Sequence, residues 1–245
     1  MQQRLKPLLS LIAGVTLVFA FAPFAIRSLA FLSLALFLWC LIDAGKRAAF
    51  TRGLLFGLGL FGAGAYWIYI SIHTFGEAPI PIALLITALF ILCLALFIAL
   101  QALSFACFKC RLSLLCLAVF PSLMVSFEWL RSWILSGFPW LYLGYSQVNT
   151  DLSSFAPWVG VYGLSFLTAW IAGALVVLLK GSRREKWGLR RCCMMFFPRR
   201  GPDLKLAESS IYLVTQSSYR VETIYWCGVR LLQPDTTLLY CLSIL

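Results

Sequence analysis

Residues 80–100 read IPIALLITALFILCLALFIAL, and no charged side chain occurs between Glu77 and Lys109. An uninterrupted apolar block of roughly 20 residues is the length that spans the hydrocarbon core of a bilayer as a helix. Inside lipid every backbone N–H and C=O must be satisfied internally, which leaves only helices and closed barrels. A transmembrane barrel would alternate polarity over runs of about 10 residues, and these blocks are solid. The chain therefore reads as an all-α membrane protein.

Composition agrees. Of 245 residues, 62% are hydrophobic and 12% charged, against about 45–50% and 25% in soluble domains. The formal charge of +11 invites a nucleic-acid reading. The basic residues instead fall in short clusters between apolar blocks, the way membrane proteins mark cytoplasmic loops, so no nucleic-acid partner is expected. Nine cysteines, an odd number, suggest no disulfide framework.

The apolar pattern predicts a polytopic bundle of about six transmembrane helices, near 8–23, 27–44, 53–73, 80–107, 112–136 and 158–180. Pro23 and Arg27 separate the first two, which predicts a tight hairpin. Arg4 and Lys6 precede the first span. Lys46, Arg47 and Arg52 fall between the second and third, and Lys109 and Arg111 between the fourth and fifth. Lys180, Arg183, Arg184 and Lys186 follow the sixth. The alternate connections hold Arg27, His73, Glu77 and Asp151 and almost no Lys or Arg. The positive-inside rule then puts the N-terminus in the cytoplasm and residues 74–79 and 137–157 on the outer face. Ala20-Phe21-Ala22 has the form of a signal-peptidase site, but Pro23 would stiffen the scissile bond and another span follows at once.

Residues 181–245 differ in character. They are basic and irregular, with runs such as RREKWGLRRCCMMFFPRR, and they make at best a marginal fold. The expected division is a transmembrane helical domain over 1–180 and an irregular basic tail over 181–245.

Several motifs have a functional and a structural reading. Gly57-x-Gly59-x-x-Gly62 has dinucleotide-fingerprint spacing but lies within a predicted span, without the required strand and acidic residue. Close helix packing by small residues such as Gly53 and Gly57, four apart, is the better reading. Cys107-x-x-Cys110 lacks the further ligands zinc requires, and the sole histidine, His73, is placed at the opposite membrane face. Trp67 and Tyr69, followed by His73 and Thr74, suit an interfacial aromatic belt or an outer-face contact with lipid or substrate.

Glu128 and Arg131 are the sharpest feature. Ionisable residues within a span are costly and face a partner or polar cavity, and a three-residue spacing puts both on one helix face, where they can pair. That pair either fixes the fifth helix against its neighbours or braces the outer loop near a polar substrate group. Gly137 is expected to end the helix, Pro139 to hold a turn that restricts Phe138, and Trp140, Tyr142 and Tyr145 to lie among lipid headgroups.

GFPWLYLGYSQ followed by FAPWVGVYGLSFL resembles the membrane domain of bacterial apolipoprotein N-acyltransferases. FAFAPF, GLLFGLGLFGAGAYWIYISIHTFG and FEWLRSWILSGFPW match in the same order, so the resemblance covers about residues 10–180. It implies an enzyme of the bacterial inner membrane that moves an acyl chain from a phospholipid to the α-amino group of the lipid-modified N-terminal cysteine of an apolipoprotein, with no cofactor. It also implies a Cys thiolate nucleophile, a Glu base and an oxyanion-stabilising Lys in a nitrilase-like domain inserted between the family's last two membrane helices.

Residues 181–245 match neither that domain nor the preceding helix. Lys205, Glu222 and Cys227 have the right types in the wrong order, so no catalytic residue is carried over. The tail reads as translation in a displaced frame, which predicts a truncated or frameshifted enzyme, inactive alone. The transferable positions are Trp67, Tyr69, His73, Thr74, Phe75, Gly76, Glu128, Arg131, Gly137, Phe138, Pro139, Trp140, Tyr145, Ser146 and Gln147, with a lipid-entrance or shaping role. A membrane-embedded lipid-binding or transport protein and a structural scaffold are the rival readings. A transporter should show broken helices or repeated halves, and the sequence has neither.

Overall fold

The computed structural model describes residues 2–134, 137–148, 150–186 and 189. The expectations for the tail beyond these residues, including Lys205, Glu222 and Cys227, lie outside the described residues. Helix α1 (Gln2–Val18) is followed by α2 (Ser28–Leu41) and α3 (Lys46–Gly64). Helix α4 (Trp67–Phe75) continues α3 after a 50° bend. Helix α5 covers Ile80–Phe105, α6 Leu112–Arg131 and α7 Ala156–Lys180. Two 3-10 turns, Leu143–Gln147 and Asp151–Phe155, link α6 to α7. No strand occurs among the described residues, so the all-α membrane class holds.

The count of six crossings is not confirmed. Among the described residues, three helices are long and apolar enough to cross a bilayer, α5, α6 and the helix over 151–180, or four if α3 and α4 form one bent span. Helix α2 has 14 residues and α1 has 17, about 21 and 26 Å at 1.5 Å per residue. Both fall short of a hydrocarbon core about 30 Å thick. The first predicted segment lies further toward the N-terminus than expected. The chain turns at residues 19–27, around a cis Ala22–Pro23 bond.

Arg52 also departs from expectation. It lies inside α3, not in a loop, and is 5% exposed. Its guanidinium is accommodated there because Nη1 donates to the Cys40 carbonyl at 2.7 Å and Nη2 to Gln3 Oε1 at 3.0 Å.

Small residues hold α3 in place, as the packing reading of its glycines required. A methyl group at Gly53 or Gly57 would run into Ala102, Ala99 and Ala95 of α5, and one at Gly59 would hit the Leu11 carbonyl of α1. In lipid, where apolar side chains gain little by leaving the solvent, such close backbone approach is the main source of helix attraction. Gly62 has nothing within 4 Å and contributes no packing of this kind. Phe37, Phe56, Phe61 and Phe120 are fully buried at the centre of the bundle, with Phe37 stacked on Phe56 at 4.0 Å.

Helix α6 is π-helical over Leu115–Val119. Pro121, two residues later, has no N–H for the Leu117 carbonyl, and a wider turn is one way to absorb that defect.

Candidate lipid-entrance site

Glu128 and Arg131 lie on the last turn of α6 and are 5% and 4% exposed. The expected direct pair is not formed, since the only ion pair among the described residues is Lys180 to Asp43 at 3.3 Å. Each side chain instead holds something else. Glu128 Oε1 accepts the Leu143 backbone N–H at 2.8 Å, which ties the helix to the 3-10 turn following it. The Arg131 guanidinium carbon sits 5.0 Å from the Phe61 ring of α3 and 5.0 Å from the Tyr142 ring. A planar, weakly hydrated cation suits a slot between two aromatic faces. The Arg131 carbonyl accepts the Phe138 N–H at 2.9 Å. The two charged residues thus brace the connection between α6 and α7, each through its own contacts.

Gly137 makes that connection possible. Its φ is +78°, and a Cβ there would collide with the Ser132 carbonyl. Only glycine takes this conformation without strain. The regular helix ends at Arg131, earlier than the sequence suggested, and Gly137 turns the chain back over that end. Leu141 adopts φ +58°, which is uncommon for a large side chain. Gly64 makes room for it, since a Cβ there would press on Leu141 Cδ1.

The turn that follows is fastened to α7. Gly144 donates its N–H to Ser165 Oγ at 2.8 Å, and a Cβ on Gly144 would hit the Val161 carbonyl. Ser146 donates to the Leu143 carbonyl at 2.6 Å, and Gln147 Nε2 donates to Ser146 Oγ at 3.0 Å. Gln147 is fully buried, so it is a structural member of the turn and not a surface contact.

The aromatic residues from two separate stretches meet at this end of the bundle. Trp67 lies 6.0 Å from Trp140, Phe138 stacks on Trp140 at 5.2 Å, and Phe138 meets Phe90 of α5 edge-on at 5.1 Å. Tyr145 is exposed and stacks on Tyr142 at 6.0 Å. Tyr142, expected among headgroups, is 4% exposed and faces inward against Arg131. Burial pushes both phenols above their ordinary pKa, so they remain neutral at physiological pH.

Trp129 and Trp133, in edge-to-face contact at 5.3 Å, and Trp158 stay exposed at the same end. Sequence reasoning had not singled out Trp158. Its signal was a tryptophan beside a proline at the start of an apolar run, the usual place for an interfacial anchor.

The other predicted positions are more peripheral. Tyr69 stacks on His73 at 5.6 Å, and His73 Nδ1–H donates to the Ala78 carbonyl at 2.8 Å. The Nδ1 proton follows from the partner, because a carbonyl only accepts. Thr74, Phe75, Gly76 and Pro139 are exposed.

A cavity of about 20 Å³ lies below the turn, lined in part by Leu17, Phe61, Gln101, Met124, Glu128 and Arg131. One water needs roughly 10–15 Å³, so the cavity can take a water molecule and not a lipid chain. Glu128 Oε2 and Arg131 Nη1 are buried without a protein hydrogen bond. Among the described residues no group of three His, Cys, Asp or Glu could hold a metal ion.

Residues 13–174 match the family described as the apolipoprotein N-acyltransferase N-terminal domain. The chain is 48% identical over 184 residues to an apolipoprotein N-acyltransferase of Coxiella burnetii, covering 74% of this chain and 38% of that protein. It is 45% identical to those of Methylococcus capsulatus and Azotobacter vinelandii, covering 69% and 72% of this chain and 34% and 35% of theirs. The chain therefore spans little more than a third of the length of these curated relatives. The ordered set of motifs, the buried Glu128 and Arg131 and the aromatic end of the bundle sit within the matched region, and the chain belongs to the apolipoprotein N-acyltransferase family.

Proposed function

We propose that this bundle is the lipid-handling membrane part of an apolipoprotein N-acyltransferase, and that its aromatic end borders the entrance for the phospholipid acyl donor. The whole reaction would place an acyl chain on the N-terminal amine of a lipid-modified apolipoprotein. That chemistry needs a nucleophile, a base and an oxyanion donor. No residue of this site is assigned to those roles.

The carrying observation is the convergence of Trp67, Phe138 and Trp140, from connections far apart in sequence, on one end of the bundle. Rings of this kind favour the membrane–water boundary. The cavity beneath the turn is too small for an acyl chain, and the proposed lipid contact is the ring-lined surface above it. Glu128 and Arg131 keep that surface in shape from beneath. Trp67, Trp140 and Tyr145 are the proposed lipid contacts. Gly137, Phe138 and Pro139 set the loop, and Tyr69, His73 and Thr74 form the facing rim. Gln147 fixes the turn from inside.

The proposed location is the bacterial inner membrane, with the N-terminus cytoplasmic and the aromatic end periplasmic, as the distribution of Lys and Arg supports. The proposed domain division remains residues 1–180 and 181–245, and the end of the family match at residue 174 supports it.

The test is co-purification of phospholipid with the full chain, quantified by mass spectrometry. Replacing Trp140 and Tyr145 together by alanine is expected to reduce retained phospholipid. Replacing Leu179, which is 83% exposed on the last turn of α7, should not. Equal retention by both variants would remove the proposed entrance.

A further inference from the structure

We infer that Lys6 and Arg52, at the end of the bundle opposite the aromatic turn, form a binding site for a phosphate group, such as that of a lipid headgroup in the leaflet they face. Lys6 is 8% and Arg52 5% exposed. Gln3 Oε1 accepts from Arg52 Nη2 at 3.0 Å. Lys6 follows Gln3 by three positions on α1, so both lie on the face turned toward Arg52. Cys40, whose carbonyl accepts from Arg52 Nη1 at 2.7 Å, is within electrostatic reach of both cations.

A cation held inside the bundle, as Arg52 is, is stabilised by a counter-charge, and the described residues supply none to it or to Lys6. Asp43 pairs with Lys180. Glu185 accepts from Ser182 and Ser113. Glu128 is held at the other end by Leu143, and Glu77 and Asp151 lie in the connections of that end. Lys6 has no side-chain hydrogen bond or ion pair among the described residues, and Arg52 Nε is buried with no partner.

Depth fits a headgroup. Lys6 is the fifth residue of α1 and Arg52 the seventh of α3, about 6–9 Å along each axis from the first residue. The headgroup layer on one side of a bilayer is about 5–8 Å thick. Basic clefts between helices at such depth bind phosphate-bearing headgroups. A guanidinium engages phosphate oxygens in a planar fork, while an ammonium adds a point charge.

The experiment uses the full chain in detergent, with binding read by thermal unfolding and native mass spectrometry. Its probes are dioctanoyl phosphatidate, dioctanoylglycerol, which lacks the phosphate, and inorganic phosphate. Phosphatidate should bind and raise the unfolding temperature, and dioctanoylglycerol should not. A charge-assisted contact contributes enough that Lys6→Gln or Arg52→Gln should weaken phosphatidate binding about tenfold or more. Arg52→Lys, which keeps the charge, should lose less. Should Arg52→Gln fail to fold, Lys6→Gln decides, because its side chain makes no bond the bundle depends on.

If inorganic phosphate matches phosphatidate, the site takes free phosphate. If only the lipid acts, the headgroup is the source. Equal stabilisation by dioctanoylglycerol, or unchanged phosphatidate binding by Lys6→Gln, overturns the site.

Discussion

The carboxylate of Glu128 accepts the backbone N–H of Leu143 at 2.8 Å, in the interior of the bundle. This bond joins the end of α6 to the turn that carries the aromatic surface, so its loss should reach both stability and loop geometry. Glu128→Ala strands a buried N–H and leaves Arg131 without a nearby negative charge. Leaving a buried donor without its partner costs about 1–3 kcal/mol, and more where the lost acceptor was charged. Glu128→Gln keeps an acceptor for Leu143 and should cost less. Equilibrium unfolding in mixed micelles, followed by tryptophan fluorescence, checks the order alanine, glutamine, parent. Equal stability of all three would show that the bond contributes nothing.

Arg131 should tolerate lysine poorly. Its guanidinium is flanked by Phe61 and Tyr142 at 5.0 Å each, and an ammonium cannot lie flat against two rings. A desolvated cation–π contact is worth up to about 2 kcal/mol, so Arg131→Lys should lose about 1–2 kcal/mol. Arg131→Leu should lose more, because Glu128 is then left without a nearby positive charge. The same unfolding measurement separates the two variants.

The glycines divide into positions that matter and one that does not. Gly57→Leu would push α3 away from Ala95 of α5, at a cost of about 1–3 kcal/mol or more for overpacking. Gly62→Ala meets open space and gains up to about 1 kcal/mol of helix propensity. Gly137→Ala combines a positive φ with a collision against the Ser132 carbonyl. It should loosen the aromatic loop, seen as faster proteolysis between α6 and α7, while Gly62→Ala leaves proteolysis unchanged.

At the other end, Glu185 accepts from the Ser182 N–H and hydroxyl at 2.9 Å each, and from the Ser113 N–H at 3.3 Å. This capping-box arrangement fastens the end of α7 to the start of α6. These hydrogen bonds, with Ser182 contributing most, hold the Glu185 carboxyl below its ordinary value of 4.5. A depressed folded-state pKa gives stability that is complete above the unfolded value and lost as pH falls through the folded one. The parent should therefore lose stability below about pH 4.5 relative to Glu185→Gln, and match its pH dependence at neutral pH. Melting curves across that range check the sign.

The helical class and the aromatic end were legible because they depend on composition and on ring-rich stretches near proline and glycine. The packing role of Gly53 and Gly57 was readable for a similar reason, since small residues four apart have few other uses in lipid. Three features were not readable. The Glu128–Arg131 spacing permits a direct pair, but the partners that win, Leu143, Phe61 and Tyr142, come from elsewhere in the chain. Arg52 looked like a loop marker because charge alone does not reveal that α1 and α2 supply acceptors for it. The count of six crossings is not confirmed because α1 and α2 are apolar but short, and a hydropathy block does not state where its helix stops.

Tryptophans and tyrosines at both ends of a span look alike in sequence, so the side on which the ring-lined turn lies needs a direct readout. Thr74→Cys, at an exposed position beside that turn, should react with a membrane-impermeant maleimide in intact spheroplasts. Native Cys107, exposed between α5 and α6, should react only after lysis. The opposite pattern, with Cys107 labelled in intact spheroplasts and the thiol introduced by Thr74→Cys protected until lysis, would contradict the proposed orientation and the lipid entrance built on it.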